Sequence, residues 1–164
     1  MRNRYYLEDT NFIFKPNLAG EWRKEDNFPT NSRNCSIIIP DPELAEEMYR
    51  DGFNVKKTKP REGDEEDFVP EYYIRANLKF RSEGGATDPN VGIRGGDGYT
   101  TYFDEETVGQ MDHLRIRRNS VCATLSPYTK RDPDHPTLYI SELFADQDLE
   151  DDHWSDRFVR RPRD

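Results

Sequence analysis

The sequence predicts one mainly β domain over residues 1–145, a small antiparallel OB-like barrel with one or two short helices and long loops. Three observations predict this class. Six or seven short runs are rich in apolar, β-branched and aromatic residues, the run at 71–81 alternates between apolar and polar positions, and one capped helix follows the second run. The 164 residues are an ordinary length for one domain, and residues 146–164 are expected to form a charged C-terminal tail.

Three strands are predicted in the first part of the chain. The first is short and covers residues 11–15, and a polar loop at 16–33 separates it from the second. The second strand is the β-branched run 35–39, which is typical of a buried strand. A third strand is expected at 53–55.

A helix is predicted between the second and third strands. Asp41 can cap it, Pro42 suits the first helical position, and Glu43 favours the positive end of the helix dipole. Met48 lies on its apolar face, and Gly52 is expected to end it.

The run at 71–81 is the clearest strand. Because side chains alternate across a strand with period two, one set of residues faces the core: Tyr72, Ile74, Ala76, Leu78 and Phe80. The other set faces solvent: Tyr73, Arg75, Asn77, Lys79 and Arg81.

The second half of the chain is predicted to contain a long loop, a helical turn and further strands. Six of the ten glycines lie in residues 82–98, which predicts a mobile loop there. Residues 104–109 predict one or two helical turns. The remaining strands are expected at 99–103, 113–118, 120–127 and 137–144.

The negative charge is unevenly distributed. The formal net charge is -9, yet twelve of the 33 acidic residues lie in two runs, five in 62–67 and seven in 142–156. Outside these runs 24 bases face 21 acids. Nucleic acid is therefore not excluded as a partner, since the local distribution of charge decides binding.

The sequence also indicates the compartment. Cys35 and Cys122 both lie in strand-like apolar runs, where reduced, buried thiols are expected. No apolar run approaches the roughly 20 residues of a membrane span, and no apolar stretch follows the charged N-terminus as in a signal peptide. A soluble protein inside the cell, with no membrane partner, is expected.

The solvent face of the 71–81 strand is the first candidate for function. It carries Tyr73, Arg75, Lys79 and Arg81. A single strand of nucleic acid needs rings on which bases stack and cations that follow the phosphates. The alternative is an ordinary solvated sheet face.

Other clusters add candidates. They are Arg115 and Arg117 with Tyr128, the lysines Lys56, Lys57 and Lys59, and Trp22 in the polar loop. Each cluster has a structural alternative: a surface strand with scattered ion pairs, pairing of the lysines with the acids at 62–67, and a tryptophan that anchors its loop to the core.

Signals of catalysis are weak. The three histidines, His113, His135 and His153, have no Ser or Cys neighbour that suggests a nucleophile and base. Asp132, Asp134 and His135 sit among prolines that predict a turn rather than a metal site. We expect no enzyme activity, no cofactor and no metal.

A set of short pieces occurs in a fixed order over about residues 11–144: Asn11-Phe12, Arg33-Asn34-Cys35, Ile37-Ile38-Ile39, Asp41-Pro42-Glu43-Leu44-Ala45, Gly52-Phe53-Asn54-Val55-Lys56, Lys59-Pro60-Arg61, Tyr72-Tyr73-Ile74, Phe103-Asp104-Glu105-Glu106-Thr107-Val108-Gly109, Asp112 and Ser126-Pro127-Tyr128. In these pieces and in their order the chain resembles a family of small bacteriophage single-stranded-DNA-binding-like proteins. The resemblance implies an OB-like fold and cooperative, largely sequence-independent binding of single-stranded DNA in phage replication or recombination, in the cytoplasm of the host.

Two further expectations follow. The acidic segment 146–152 is similar to the acidic tails with which single-strand binders recruit replication or recombination proteins. The alternative function is a protein-interaction or virion-structural module that oligomerises without binding nucleic acid. A homo-oligomer is compatible with both.

Overall fold

The computed structural model describes residues 1–21, 32–63 and 65–148. Its eight strands are β1 (Tyr5–Thr10), β2 (Arg33–Ile39), β3 (Lys56–Lys57), β4 (Tyr72–Leu78), β5 (Asn90–Arg94), β6 (Thr100–Phe103), β7 (Val121–Tyr128) and β8 (Thr137–Asp146). One α-helix, α1 (Pro42–Arg50), follows β2, and 3₁₀ helices cover Glu65–Asp67, Arg81–Glu83 and Val108–His113. Within the described ranges, no helix is both long and apolar enough to traverse a bilayer.

All eight strands belong to one sheet, with β8 at its centre. The main path runs β1-β7-β8-β4-β2, while β3 pairs with β4 and β5 joins β8 to β6. The prediction of a mainly β, OB-like domain with one helix after the second strand is confirmed. Two details differ from a closed antiparallel barrel, because β8 is parallel to both β4 and β5 and pairing among the described strands does not close the path.

The core lies on the inner face of this sheet. Inward-facing residues alternate along β2 and β4, as period two requires. The predicted alternation of β4 is confirmed, since Ile74, Ala76 and Leu78 are buried and Arg75 is exposed. A β-bulge in β8 opposite Thr124 and Leu125 inserts one extra residue.

The helix follows its local sequence signals. The Asp41 carboxylate accepts a 2.9 Å hydrogen bond from the Glu43 N–H, and Pro42 occupies the first turn. Ala45 and Met48 are buried against the sheet. The chain leaves the helix at Gly52, whose φ of +98° favours glycine. The predicted helix is therefore confirmed.

Two predicted strands in the first half are displaced. The strand expected at 11–15 lies earlier, at β1, because Tyr5 and Leu7 alternate inward despite their charged neighbours. Residues after β1 instead meet β2 through an isolated bridge between Phe12 and Ile37. Residues 53–55 form no strand, and Phe53 is instead buried against Tyr5, with ring centroids 5.3 Å apart. The chain rejoins the sheet only after them, at β3.

Two predictions in the second half are wrong. The expected loop at 82–98 contains β5, which pairs with β6 and β8. The strand expected at 113–118 is absent from the described structure, because the 3₁₀ helix Val108–His113 leads into a segment that makes only the bridge Ile116–Gln147. The alternation there arises from Leu114 and Ile116 packing on the core.

Cys35 and Cys122 are both free, but the expected burial holds only for Cys35, because Cys122 is half-buried. Cys35 is buried, and that burial raises the pKa of its thiol. The boundary between the β domain at 1–145 and the charged tail at 146–164 stays a prediction. β8 extends to Asp146, and residues 149–164 of the expected tail lie outside the described residues.

Candidate nucleic-acid interface

A groove of about 470 Å³ crosses the outer face of β4. We call it the β4 groove and define it by six of its lining residues: Phe14, Lys15, Lys56, Tyr73, Arg75 and Asn77. These residues come from three separate parts of the chain, so the groove exists only in the folded protein.

Strand register places four of these side chains. Tyr73, Arg75 and Asn77 occupy alternate positions on the solvent side of β4. Lys56 lies directly beside Tyr73, because β3 pairs antiparallel with β4 in the register Lys56–Tyr73. The pairing of the short β3 thus adds a cation next to an aromatic ring.

The segment after β1 supplies the other two. It runs along β2, where the Ile13 N–H donates to the Ser36 carbonyl at 3.1 Å. Asn17 and Asn34 exchange two backbone hydrogen bonds of 2.9 and 3.0 Å. These bonds hold the intervening Phe14 and Lys15 at the groove.

Asp112 holds the same segment at its far end. The Asp112 side chain is buried, and its carboxylate accepts hydrogen bonds from the Leu18 N–H at 2.8 Å and the Ala19 N–H at 3.0 Å. Two backbone donors that would otherwise be buried without partners are satisfied in this way. The carboxylate therefore positions the chain and does not line the groove.

Two aromatic rings form one wall of the groove. Phe14 and Tyr73 meet edge to face, with ring centroids 5.5 Å apart and planes at 84°. Phe14 is 63% exposed although it is a large apolar side chain. An exposed ring fixed by another ring is suited to stacking with a planar base.

The groove is positively charged. Lys15, Lys56 and Arg75 line it, and none of its described lining residues is a carboxylate. Within the described part of the chain, neither Lys56 nor Arg75 has an ion-pair partner. Cations that are not neutralised by the protein remain available to phosphate groups.

A second ring pair adjoins the groove. Tyr128 contacts Tyr139 edge to face, with centroids 6.0 Å apart. Tyr139 lies beside Asn77 in the β4–β8 pairing, and both line a small pocket with Lys79. Two further predicted residues, Tyr128 and Lys79, are thereby brought next to the β4 groove.

The structure places the remaining predicted residues away from the groove lining. Lys57, Lys59 and Arg81 are exposed beyond its edges, in or after β3 and after β4. Arg117 lines a different cavity, and Arg115 precedes it in the chain. Trp22 lies outside the described residues.

Sequence reasoning missed Phe14, Lys15 and Tyr139. The sequence carried no local signal for Phe14, because Phe12 packs on the core and a period of two would place Phe14 on that same face, whereas Phe14 is exposed. No local pattern marks Tyr139, whose neighbours on β4 and β7 are distant in sequence.

A family model described as "putative phage ssDNA-binding domain" matches residues 1–156. The chain belongs to this family. The resemblance stated from the sequence is therefore confirmed, and with it single-stranded DNA binding as the function class. No curated protein matches the chain.

Solved structures give similar proteins as well. The single-stranded DNA-binding protein from bacteriophage Enc34 in complex with ssDNA is 12% identical, with 89% of this chain and 87% of that chain covered and a TM-score of 0.48. A C-terminal truncation of the Enc34 protein is 13% identical, with 89% and 86% covered and a TM-score of 0.48.

Proposed function

We propose that the β4 groove is the site where this protein binds single-stranded DNA, largely without sequence preference. The observation that carries the proposal is the convergence of two rings and three cations, with no carboxylate among the described lining residues, in one groove of a protein whose net charge is -9.

Each group has a role that its chemistry supports. Bases stack on Phe14 and Tyr73, and this contact tolerates any sequence because every base has a π-face. Lys15, Lys56 and Arg75 follow the phosphates. No hydrogen-bond pattern for a particular base edge is required, so the affinity comes from stacking and charge.

The cellular role belongs to the same proposal. The protein acts as a binding protein without catalysis, in DNA replication or recombination in the host cytoplasm. Replication or recombination proteins are partners through the acidic segment 146–152. Of this segment, Asp146 already forms an ion pair with Arg94 at 2.8 Å.

A titration of fluorescent oligo-dT with variant proteins tests the site. Tyr73→Ala removes one of the two rings, so we expect an affinity loss of about 1–3 kcal/mol by fluorescence anisotropy at low salt. Phe14→Ala should behave alike. Tyr49→Ala is the matched control, because Tyr49 is 67% exposed on α1 and does not line the groove.

Two results of this titration would contradict the proposed site. Wild-type affinity in both Tyr73→Ala and Phe14→Ala, with thermal melts that show folded proteins, would place DNA binding elsewhere on the molecule. Absence of any oligo-dT binding by the wild type at low salt would remove the proposal altogether.

A further inference from the structure

A second cavity, of about 660 Å³, lies at the opposite end of β8. We call it the β6 cavity and define it by the lining residues that matter here: Arg94, Tyr102, Arg117, Arg118, Cys122 and Phe144. None of its described lining residues also lines the β4 groove. The proposed function so far leaves it unused.

The β6 cavity has its own ring pair. Tyr102 of β6 and Phe144 of β8 meet edge to face, with centroids 6.2 Å apart, and Tyr102 is 68% exposed. β5 lies between these two strands, and the residue opposite both rings is Gly92. A side chain there would displace the Phe144 ring, since an added Cβ would lie 3.1 Å from it.

Cations surround this ring pair. Arg94 is neutralised by a bidentate pair with Asp146, at 2.8 and 2.9 Å. Arg117 and Arg118 have no ion-pair partner among the described residues, and Asp9 is the remaining carboxylate of the lining. The cavity therefore carries an excess of positive charge.

The backbone that carries these arginines is fixed to the sheet. The Arg117 N–H donates to the Asp146 carbonyl at 2.8 Å, and the Ser120 hydroxyl donates to the Arg117 carbonyl at 2.6 Å. This segment is therefore held beside the end of β8, although it forms no strand.

The two sites lie along one face of the sheet. Tyr139 and Phe144 both lie outside the core. In a regular strand, residues five positions apart face opposite sides, but the extra residue of the β8 bulge lets both Ile140 and Leu143 face inward. β8 runs parallel to β4, and Tyr139 adjoins Asn77 at the end of the groove. The route from Tyr73 through Tyr139 to Phe144 is roughly 30 Å at about 3.3 Å per strand residue.

We propose that bound single-stranded DNA continues from the β4 groove over Tyr139 into the β6 cavity, which is a second subsite with Tyr102 as its stacking ring and Arg117 and Arg118 as its phosphate contacts. This inference rests on the proposed function. Three edge-to-face ring pairs, spaced along β4 and β8 with cations beside each, form the track.

Oligonucleotide length separates the two subsites. Single-strand sites on OB folds take about 4–16 nucleotides, so we compare dT of about 4 with dT of about 16 by anisotropy. Tyr102→Ala and Arg117→Gln should each weaken the long oligonucleotide by about fivefold or more and change the short one less than about twofold. Tyr99→Ala is the control, because Tyr99 is 77% exposed nearby but does not line the cavity.

Thiol modification gives a second readout that does not depend on affinity. Half-buried Cys122 lines the β6 cavity, whereas Cys35 is buried. With iodoacetamide and peptide mapping, saturating long dT should slow Cys122 alkylation several-fold, and short dT should not.

The outcomes are distinguishable. Unchanged long-dT affinity in Tyr102→Ala and Arg117→Gln overturns the second subsite, and so does an equal loss for both lengths. Tight binding of short dT that Tyr73→Ala does not weaken contradicts the proposed function instead, whatever the Tyr102 result.

Discussion

Single side chains at the β4 groove act in two distinct ways. Phe14 and Tyr73 present rings to solvent, while Asp112 holds the segment after Phe14 through two backbone hydrogen bonds. Loss of a ring should change affinity alone. Loss of the buried carboxylate should change stability, since unsatisfied buried donors are costly.

Asp112→Ala is expected to lower the free energy of unfolding by about 1–3 kcal/mol, because it leaves the Leu18 and Ala19 N–H groups without an acceptor. Urea denaturation measures this. Glu46→Ala is the control, since Glu46 is exposed on α1. A midpoint for Asp112→Ala equal to that of the control variant would show that the two hydrogen bonds contribute no net stability.

For single residues, the sequence predicts which rings and cations share a face better than it predicts which distant side chains they contact. Tyr73 and Arg75 were predicted as a ring and a cation on one face, and β4 places both in the groove. Arg33 shows the limit, because its charge is used within the fold by Glu83 at 3.1 Å and by the Phe80 ring. No local pattern distinguishes such a cation from an available one.

Among the elements, β5 depends most on its partners. Its central Gly92 lies opposite Phe144 on one side and Tyr102 on the other. The Phe144 ring and the Thr100 methyl occupy the space that a side chain would fill. The sequence predicted a glycine-rich loop there because glycine is disfavoured in isolated strands, but ring packing across it compensates.

Gly92→Ala is expected to destabilise the protein by about 1–3 kcal/mol through overpacking. The added Cβ would lie 2.9 Å from the Thr100 methyl and 3.1 Å from the Phe144 ring. Chemical denaturation should show the loss. For Gly95→Ala, where the nearest atom is 3.4 Å away, we expect a change within about 0.5 kcal/mol. Equal stability of the two variants would mean that the strand adjusts without strain.

Elements with complete local signals were predicted, and elements that need a distant partner were not. The helix α1 carries its own cap and terminator, and β4 carries its own alternation. The segment at 113–118 also alternates, yet it forms no strand, because only Ile116 meets a bridge partner, Gln147. An alternation of apolar and polar residues indicates that one side of the segment is buried, and an irregular segment can bury one side as a strand does.

Over the whole molecule, the uneven charge makes binding sensitive to salt. The β4 groove concentrates Lys15, Lys56 and Arg75 in a protein of net charge -9. Phosphate binding at the groove releases counterions, whereas the distant acids affect mainly the long-range field, which salt screens.

We expect the logarithm of the short-dT association constant to fall with the logarithm of salt concentration with a slope of about -2, at about 0.7 for each of three phosphate contacts. Arg75→Gln should reduce this slope by about 0.7. Arg61→Gln is the matched control, because Arg61 is exposed and lines neither cavity. A slope that Arg75→Gln leaves unchanged would mean that this guanidinium does not contact phosphate.

The sequence by itself determined the mainly β class, the capped helix, the alternating strand β4 and the presence of rings and cations suited to a single nucleic-acid strand. These features depend on residues a few positions apart, whose geometry follows from helix and strand periodicity. Only the tertiary structure decided which of them meet. Phe14 reaches Tyr73, and Phe144 reaches Tyr102, through pairings between distant segments, and those pairings are set by core packing and by the β8 bulge.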